Sequence, residues 1–162
     1  MDFRFELILS NELFKKSLCK INIAEKKRIF CRHDIEHFID TARIGYILIL
    51  ENKLNISKDI IYAAALLHDI GRSEEYHSGT PHDKASAEIA QIILSECGYT
   101  SDEQKHITTA ILQHRTSSDS YELSTLGGIL YRADKLSRVC CTCSSYNECN
   151  WDNDKKNITL KY

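Results

Sequence analysis

An all-α bundle of about five to seven helices is the fold class this chain predicts, on three observations. Proline occurs once and glycine six times in 162 residues, far too few turn formers for a sandwich or barrel. Apolar side chains recur at three- and four-residue spacing in one segment after another, and no segment reads as a strand. Capping residues open several of those segments, among them Ser57, Thr80 and Ser101. The length suits one domain of the usual about 100–150 residues. A chain of this size hides roughly 70% of its unfolded surface.

The first helix is expected over about Asn11 to Cys19, with Leu13, Phe14, Leu18 and Ile21 near one face. A second starts around His33-Asp34 and places Phe38, Ile39, Ala42, Ile47 and Leu50 at helical spacing as far as Leu54. Ser57 caps a third, with Asp59 in its first turn, running through Ile60, Ala63, Ala64 and Leu67 to His68, and Gly71 is placed to end it. Thr80-Pro81-His82-Asp83 reads as a capping threonine, a proline at the first helical position and an acid behind them. That helix continues through Ile89, Ile92, Ile93 and Leu94 to Cys97-Gly98. Ser101-Asp102-Glu103-Gln104 reads as a capping box for a helix through Ile107, Ala110, Ile111 and His114. A last helix covers about Ser124 to Arg138. Residues 1–138 then form the domain, with its core at about 30–138, and residues 139–162 a cysteine-rich tail packed on it.

Charge and composition narrow the function. A formal net charge of -2 leaves no basic field for nucleic acid, so no nucleic-acid partner is expected. No signal peptide follows Met1, and the longest apolar run, Ile44 to Leu50, is far short of the about 20 residues that span a bilayer. A cytoplasmic protein without a membrane partner is expected. Seven cysteines without a secretory signal favour free thiols or metal ligation over a disulfide framework.

The chemistry concentrates in imidazoles and carboxylates set beside apolar helical stretches: His37, His68-Asp69, His82, His114 and Asp134. His68-Asp69 is the sharpest of them. It ends the run from Ile60 to Leu67, where an unpaired aspartate would carry a heavy desolvation cost unless paired or coordinated.

The stretch Ala64-Ala65-Leu66-Leu67-His68-Asp69-Ile70-Gly71-Arg72 resembles the signature of the HD superfamily of metal-dependent phosphohydrolases. His37, followed by Phe38-Ile39-Asp40-Thr41-Ala42, resembles that family's first histidine, and Tyr131-Arg132-Ala133-Asp134-Lys135-Leu136 the segment with its last aspartate. The resemblance covers roughly residues 30 to 138 in the family's order. It implies His37, His68, Asp69 and Asp134 as metal ligands, and His82 and His114 as the additional histidines of enzymes with two ions. The stretch from Ile107 to Arg138 is most similar to the di-iron branch that cleaves diadenosine tetraphosphate symmetrically. The implied cofactor is one or two divalent ions of iron, manganese, zinc, cobalt or nickel. The implied activity is hydrolysis of a nucleotide or related phosphate ester or anhydride. Two alternatives use the same ligands, a di-iron oxygenase and a nucleotide-binding sensor with weak turnover.

Asp69 and Arg72 are the expected catalytic residues, and a negatively charged substrate calls for cations, here Arg72, Arg115, Lys135 and Arg138. His33, one turn before His37, is expected at the pocket entrance, with Asp34 as a helix cap. Glu74 and Glu75 lie close enough to serve as an acid or base for the leaving group. The segments Ser73 to Gly79 and Thr116 to Glu122 are expected as substrate-selecting loops. In the tail, Cys140-x-x-Cys143 with Cys149 has the spacing of a metal knuckle, its fourth ligand left open between Cys141, Cys31 and an outside donor.

Overall fold

The structure, a computed structural model, describes residues 3–115 and 124–162. These residues form eight α-helices and no strand: α1 (Arg4–Ser10), α2 (Glu12–Ala24), α3 (Ile35–Glu51), α4 (Lys58–Leu67), α5 (Arg72–Ser78), α6 (His82–Glu96), α7 (Ser101–Gln113) and α8 (Leu126–Leu136). The six helices legible in the sequence are joined by two short ones, α1 and α5, of seven residues each. No helix among the described residues is long and apolar enough to cross a membrane.

Capping chemistry sets most helix starts. The side chains of Asn11, Asp34, Ser57 and Thr125 accept backbone N–H bonds from the first turns of α2, α3, α4 and α8. Two starts differ from the sequence reading. The capping box of α7 is Thr100 with Glu103, because Gln104 is turned inward to donate to the Tyr99 carbonyl at 2.7 Å. At α6 the half-helical position belongs to Pro81, without a side-chain cap, since the Thr80 hydroxyl bonds Ser78 instead.

Helix α4 is the hub. Ile60, Ile61, Ala63, Ala64, Ala65, Leu66 and Leu67 are all buried, so it is apolar almost all round, and it packs against α1, α3, α6, α7 and α8. Its three alanines let neighbouring helices approach closely, and a fully buried leucine such as Leu67 is worth about 2–5 kcal/mol over alanine. In α3 the buried stripe runs through Phe38, Ala42, Leu48 and Ile49, leaving Ile47 and Leu50 exposed. Helix α1 is tied down at its start. Arg4 bonds Asp59, Glu103 and the Gly98 carbonyl, and its guanidinium lies 4.2 Å from the centre of the Tyr99 ring.

Gly71 does not end α4 by a left-handed turn, since its φ is -90° and it stands at the start of α5. Its role is closeness. A Cβ there would fall 2.3 Å from the Ser86 nitrogen and 2.5 Å from the Ala85 carbonyl carbon, so only glycine lets this corner seat against α6. The Gly71 N–H donates to the Ser86 hydroxyl at 2.9 Å across the same contact.

After α8 the chain makes one short 3₁₀ turn, Cys140–Thr142, and no further helix. Polar bonds attach this tail to the bundle. The Asn157 amide donates to the Lys135 and Arg138 carbonyls, and the Ser145 hydroxyl to the Ile29 carbonyl.

Candidate metal centre

Six donor residues converge between the ends of five elements. His37 lies in the first turn of α3, His68 and Asp69 follow α4, His82 opens α6, His114 follows α7, and Asp134 lies in the last turn of α8. All six are buried. Their donor atoms fall into two sets, each with all members within 4.8 Å of one another: His37, His68, Asp69 and Asp134, and Asp69, His82 and His114. Asp69 belongs to both.

Each histidine turns Nε2 toward a carboxylate and has Nδ1 held from behind. Nδ1 of His68 donates to the Ala65 carbonyl at 2.7 Å, and that of His114 to the Ile111 carbonyl at 2.5 Å. Both carbonyls lie three residues back in the preceding helix, which is why a helix-end histidine points this way. Ser137 donates to the Asp134 carbonyl, so its oxygen accepts from His37 Nδ1 at 3.0 Å. Glu75 lies 2.6 Å from His82 Nδ1. The Nε2 atoms then lie 3.2 Å (His37) and 3.8 Å (His68) from Asp134, and 3.1 Å (His82) and 3.6 Å (His114) from Asp69. Fixing one ring nitrogen from outside while the other faces inward is how metal-binding imidazoles are held.

The donors fit a divalent cation. His68 Nε2 and Asp69 Oδ1 are buried atoms with no hydrogen-bond partner, a costly arrangement that a bound ion relieves. The protonation balance points the same way. Burial opposes ionisation of Asp69 and Asp134, yet the surrounding histidines keep both carboxyls well below the usual range. Burial also opposes charge on His68, but Asp69 and Asp134 outweigh it and raise the imidazole to about 9, whereas burial lowers His37 and His82 to about 4. Two carboxylates and one proton-holding imidazole mark a position for positive charge.

A cavity of about 290 Å³ opens above this cluster. The four expected cations, Arg72, Arg115, Lys135 and Arg138, line it, and so does His33. Lys135 Nζ lies 2.6 Å from Asp134, Arg115 pairs with Glu75 and Asp83, and Arg72 bonds Glu75 and His33 and lies beside His82. Arg138 is buried rather than a solvated helix end, donating to His37 Nε2 at 2.9 Å and to the Arg32 carbonyl at 2.7 Å. His33 is deeper than a pocket entrance, its Nε2 3.6 Å from Asp69. Of the two adjacent acids, Glu75 is in the site, whereas Glu74 pairs with Lys20 away from it. The stretch expected as a selecting loop at Ser73 to Gly79 is mostly helix α5, closed by Gly79 at φ 74°. The other, Thr116 to Glu122, lies outside the described residues. The tail residues Cys140, Cys143 and Cys149 line the cavity but are not one of the two sets with donors within 4.8 Å.

One residue of the site has no sequence signal. Glu25, at the end of α2, is buried, accepts from the His33 backbone N–H at 2.8 Å and the Tyr76 hydroxyl at 2.5 Å, and lies 2.5 Å from His33 Nδ1. His33 holds its carboxyl down to about 2 against the cost of burial.

A helical bundle gathering a His-Asp pair, outlying histidines and a distant aspartate in this order defines the HD class, and the chain belongs to the HD domain family, whose profile matches residues 34–139. It is 42% identical over 159 residues to a protein of Clostridium beijerinckii described as uncharacterized, covering 98% of this chain and 99% of that one. It is also similar to the crystal structure of a predicted HD superfamily hydrolase from an uncultured Thermotogales bacterium. That match has a TM-score of 0.61 and 27% identity, and covers 88% of this chain and 80% of the other.

Proposed function

We propose that the chain is a metal-dependent phosphohydrolase that cleaves a small phosphate ester or anhydride, a nucleotide being the substrate class. The observation that carries this reading is the pair of donor sets sharing Asp69 beneath a cavity lined by Arg72, Arg115, Lys135 and Arg138. His37, His68, Asp69 and Asp134 would hold one divalent ion, and Asp69, His82 and His114 a second. Such ions, when bound, lower the pKa of water to near neutrality and polarise phosphoryl oxygens.

The chain's own residues supply the remainder. Arg72, held by Glu75 and His33 beside His82, lines the cavity, where its guanidinium fork would bind two oxygens of a phosphoryl group. Lys135 and Arg115 are the more exposed cations, placed to neutralise the rest of a polyanionic substrate. His33, backed by Glu25 and Tyr76, accepts from Arg72 through Nε2 and so orients the guanidinium that would meet the substrate. This cation supply supports a phosphorylated substrate and disfavours an oxygenase acting on an uncharged polyol. The free thiols fit a reducing compartment, the cytoplasm.

The test is turnover by chain reloaded with manganese, iron, cobalt, nickel or zinc against a panel of nucleoside mono-, di- and dinucleoside polyphosphates and sugar phosphates. Release of phosphate or nucleotide that is lost in Asp69→Ala supports the reading. No release from any member with any metal overturns it.

A further inference from the structure

The strongest feature that the metal centre does not absorb is a second gathering of donors on the same cavity. Four of the seven cysteines line it: Cys31, from the segment between α2 and α3, and Cys140, Cys143 and Cys149 from the tail. All are free thiols. The other three point elsewhere: Cys97 is buried at the end of α6, and Cys19 and Cys141 are exposed. Within the adjacent pair the chain therefore turns Cys140 inward and Cys141 outward. The bond from the Cys143 N–H to the Cys140 carbonyl, 3.2 Å, then closes the turn that brings Cys143 to the same wall.

We propose that Cys31, Cys140, Cys143 and Cys149 form a structural zinc site that clasps the tail over the mouth of the metal centre. Beyond the polar bonds of Ser145 and Asn157, the tail has little else to hold it. Of residues 139–162 only Cys140 is buried, and a single 3₁₀ turn is its regular structure. A segment that cannot bury apolar side chains lacks the main term that offsets the entropy of ordering. Small units of this kind are held by metal, and four thiolates are a complete tetrahedral zinc shell. Four thiolates on one zinc carry a net charge of about -2. Arg28, Arg138 and Lys156 line the same cavity to balance it. Zinc holds its sulfurs at about 2.3 Å. No three of the four sulfurs lie within 4.8 Å of one another, so the ion has to draw in the wall, whose tail side has no helix to resist it.

The site explains why the tail carries Tyr146 and Trp151 onto the cavity wall, where the Lys135 ammonium lies 5.6 Å from the Trp151 ring. The clasp fixes an aromatic face above the centre.

The test does not depend on turnover. Full-length protein loaded with cobalt(II) is expected to show intense sulfur-to-cobalt charge-transfer absorption, which the six imidazole and carboxylate donors cannot produce. With zinc, four of the seven thiols should resist alkylation and become reactive when a chelator is added. Cys143→Ser should lose one zinc per chain while keeping the ions bound by His68 and Asp69. Absence of the sulfur-to-cobalt band, with identical thiol reactivity before and after chelation, overturns the proposal. So does isolation of Cys31 in a disulfide with any of the other three. Either result leaves the phosphohydrolase reading standing, since no thiol belongs to it.

Discussion

The two donor sets of the metal centre are built differently. The set of His37, His68, Asp69 and Asp134 is supplied by α3, α4 and α8, the helices that form the bundle's interior. Three of its members sit within the first or last turn of those helices or directly after one, and the Nδ1 of His68 is fixed by the backbone of α4 itself. The second set borrows Asp69 and adds His82 and His114 from the start of α6 and the end of α7. His114 is fixed by the α7 backbone as His68 is by α4, whereas His82 depends on Glu75, a residue of short α5 that is also engaged by Arg72 and Arg115. Both sets sit at helix ends, but the first is held among the packed interior helices while the second leans on Glu75, a part-exposed side chain of short α5, so the second should be the easier to strip.

The largest effect should come from Asp69→Ala, which removes the residue common to both sets. Elemental analysis should find both ions lost, and turnover should fall by more than about 100-fold. His114→Ala should instead remove one ion and leave the set around His68 loaded. Equal losses in the two variants would break the comparison. Glu75→Gln keeps the shape but weakens the hold on His82, so affinity for the second ion should drop about 10–100-fold with the first little changed, read by metal titration.

Gly71→Ala sharpens the comparison through the fold. Its new Cβ must push on the Ala85–Ser86 backbone, costing about 1–3 kcal/mol in chemical denaturation. Because that backbone begins one turn after His82, the second ion should weaken more than the first. The smallest effect lies far from the centre. Arg4, hydrogen-bonded to Glu103, holds that carboxyl down to about 2, against an ordinary value of 4.5. A carboxyl lowered on folding contributes stability that is present above its unfolded pKa and is lost as pH falls through the folded one. Glu103→Gln keeps the capping geometry at Thr100 and removes the charge. It should cost about 0.2–1 kcal/mol at pH 7, after screening of this partly exposed pair, and the difference should vanish between about pH 4.5 and 2. Both ion occupancies should be unchanged at pH 7.

How much of this was legible in the sequence follows the same division. His68-Asp69 stands out because an apolar helix delivers it, and periodicity reports that helix directly. His37, His114 and Asp134 are visible for the same reason, each adjoining buried helical residues. Helix α5 shows no apolar rhythm, burying Ser73 alone, so Arg72–Ser78 reads as a loop although it delivers Glu75. Glu25 is invisible because its partners, His33 and Tyr76, are 8 and 51 residues away in the chain and no spacing rule links them. The closeness that requires Gly71 likewise exists only once α6 has packed against it.

The double membership of Asp69 also bears on how the centre fills. A carboxylate that faces two positions cannot serve them as strangers: whatever orientation the first occupant imposes is the one the second must accept. On the two-ion reading proposed above, coupling of this kind is reciprocal, so each ion would alter the other's affinity by the same factor. The two positions should therefore load as an interdependent pair, and the chain would sense the supply of metal more steeply, or more shallowly, than two separate sites could.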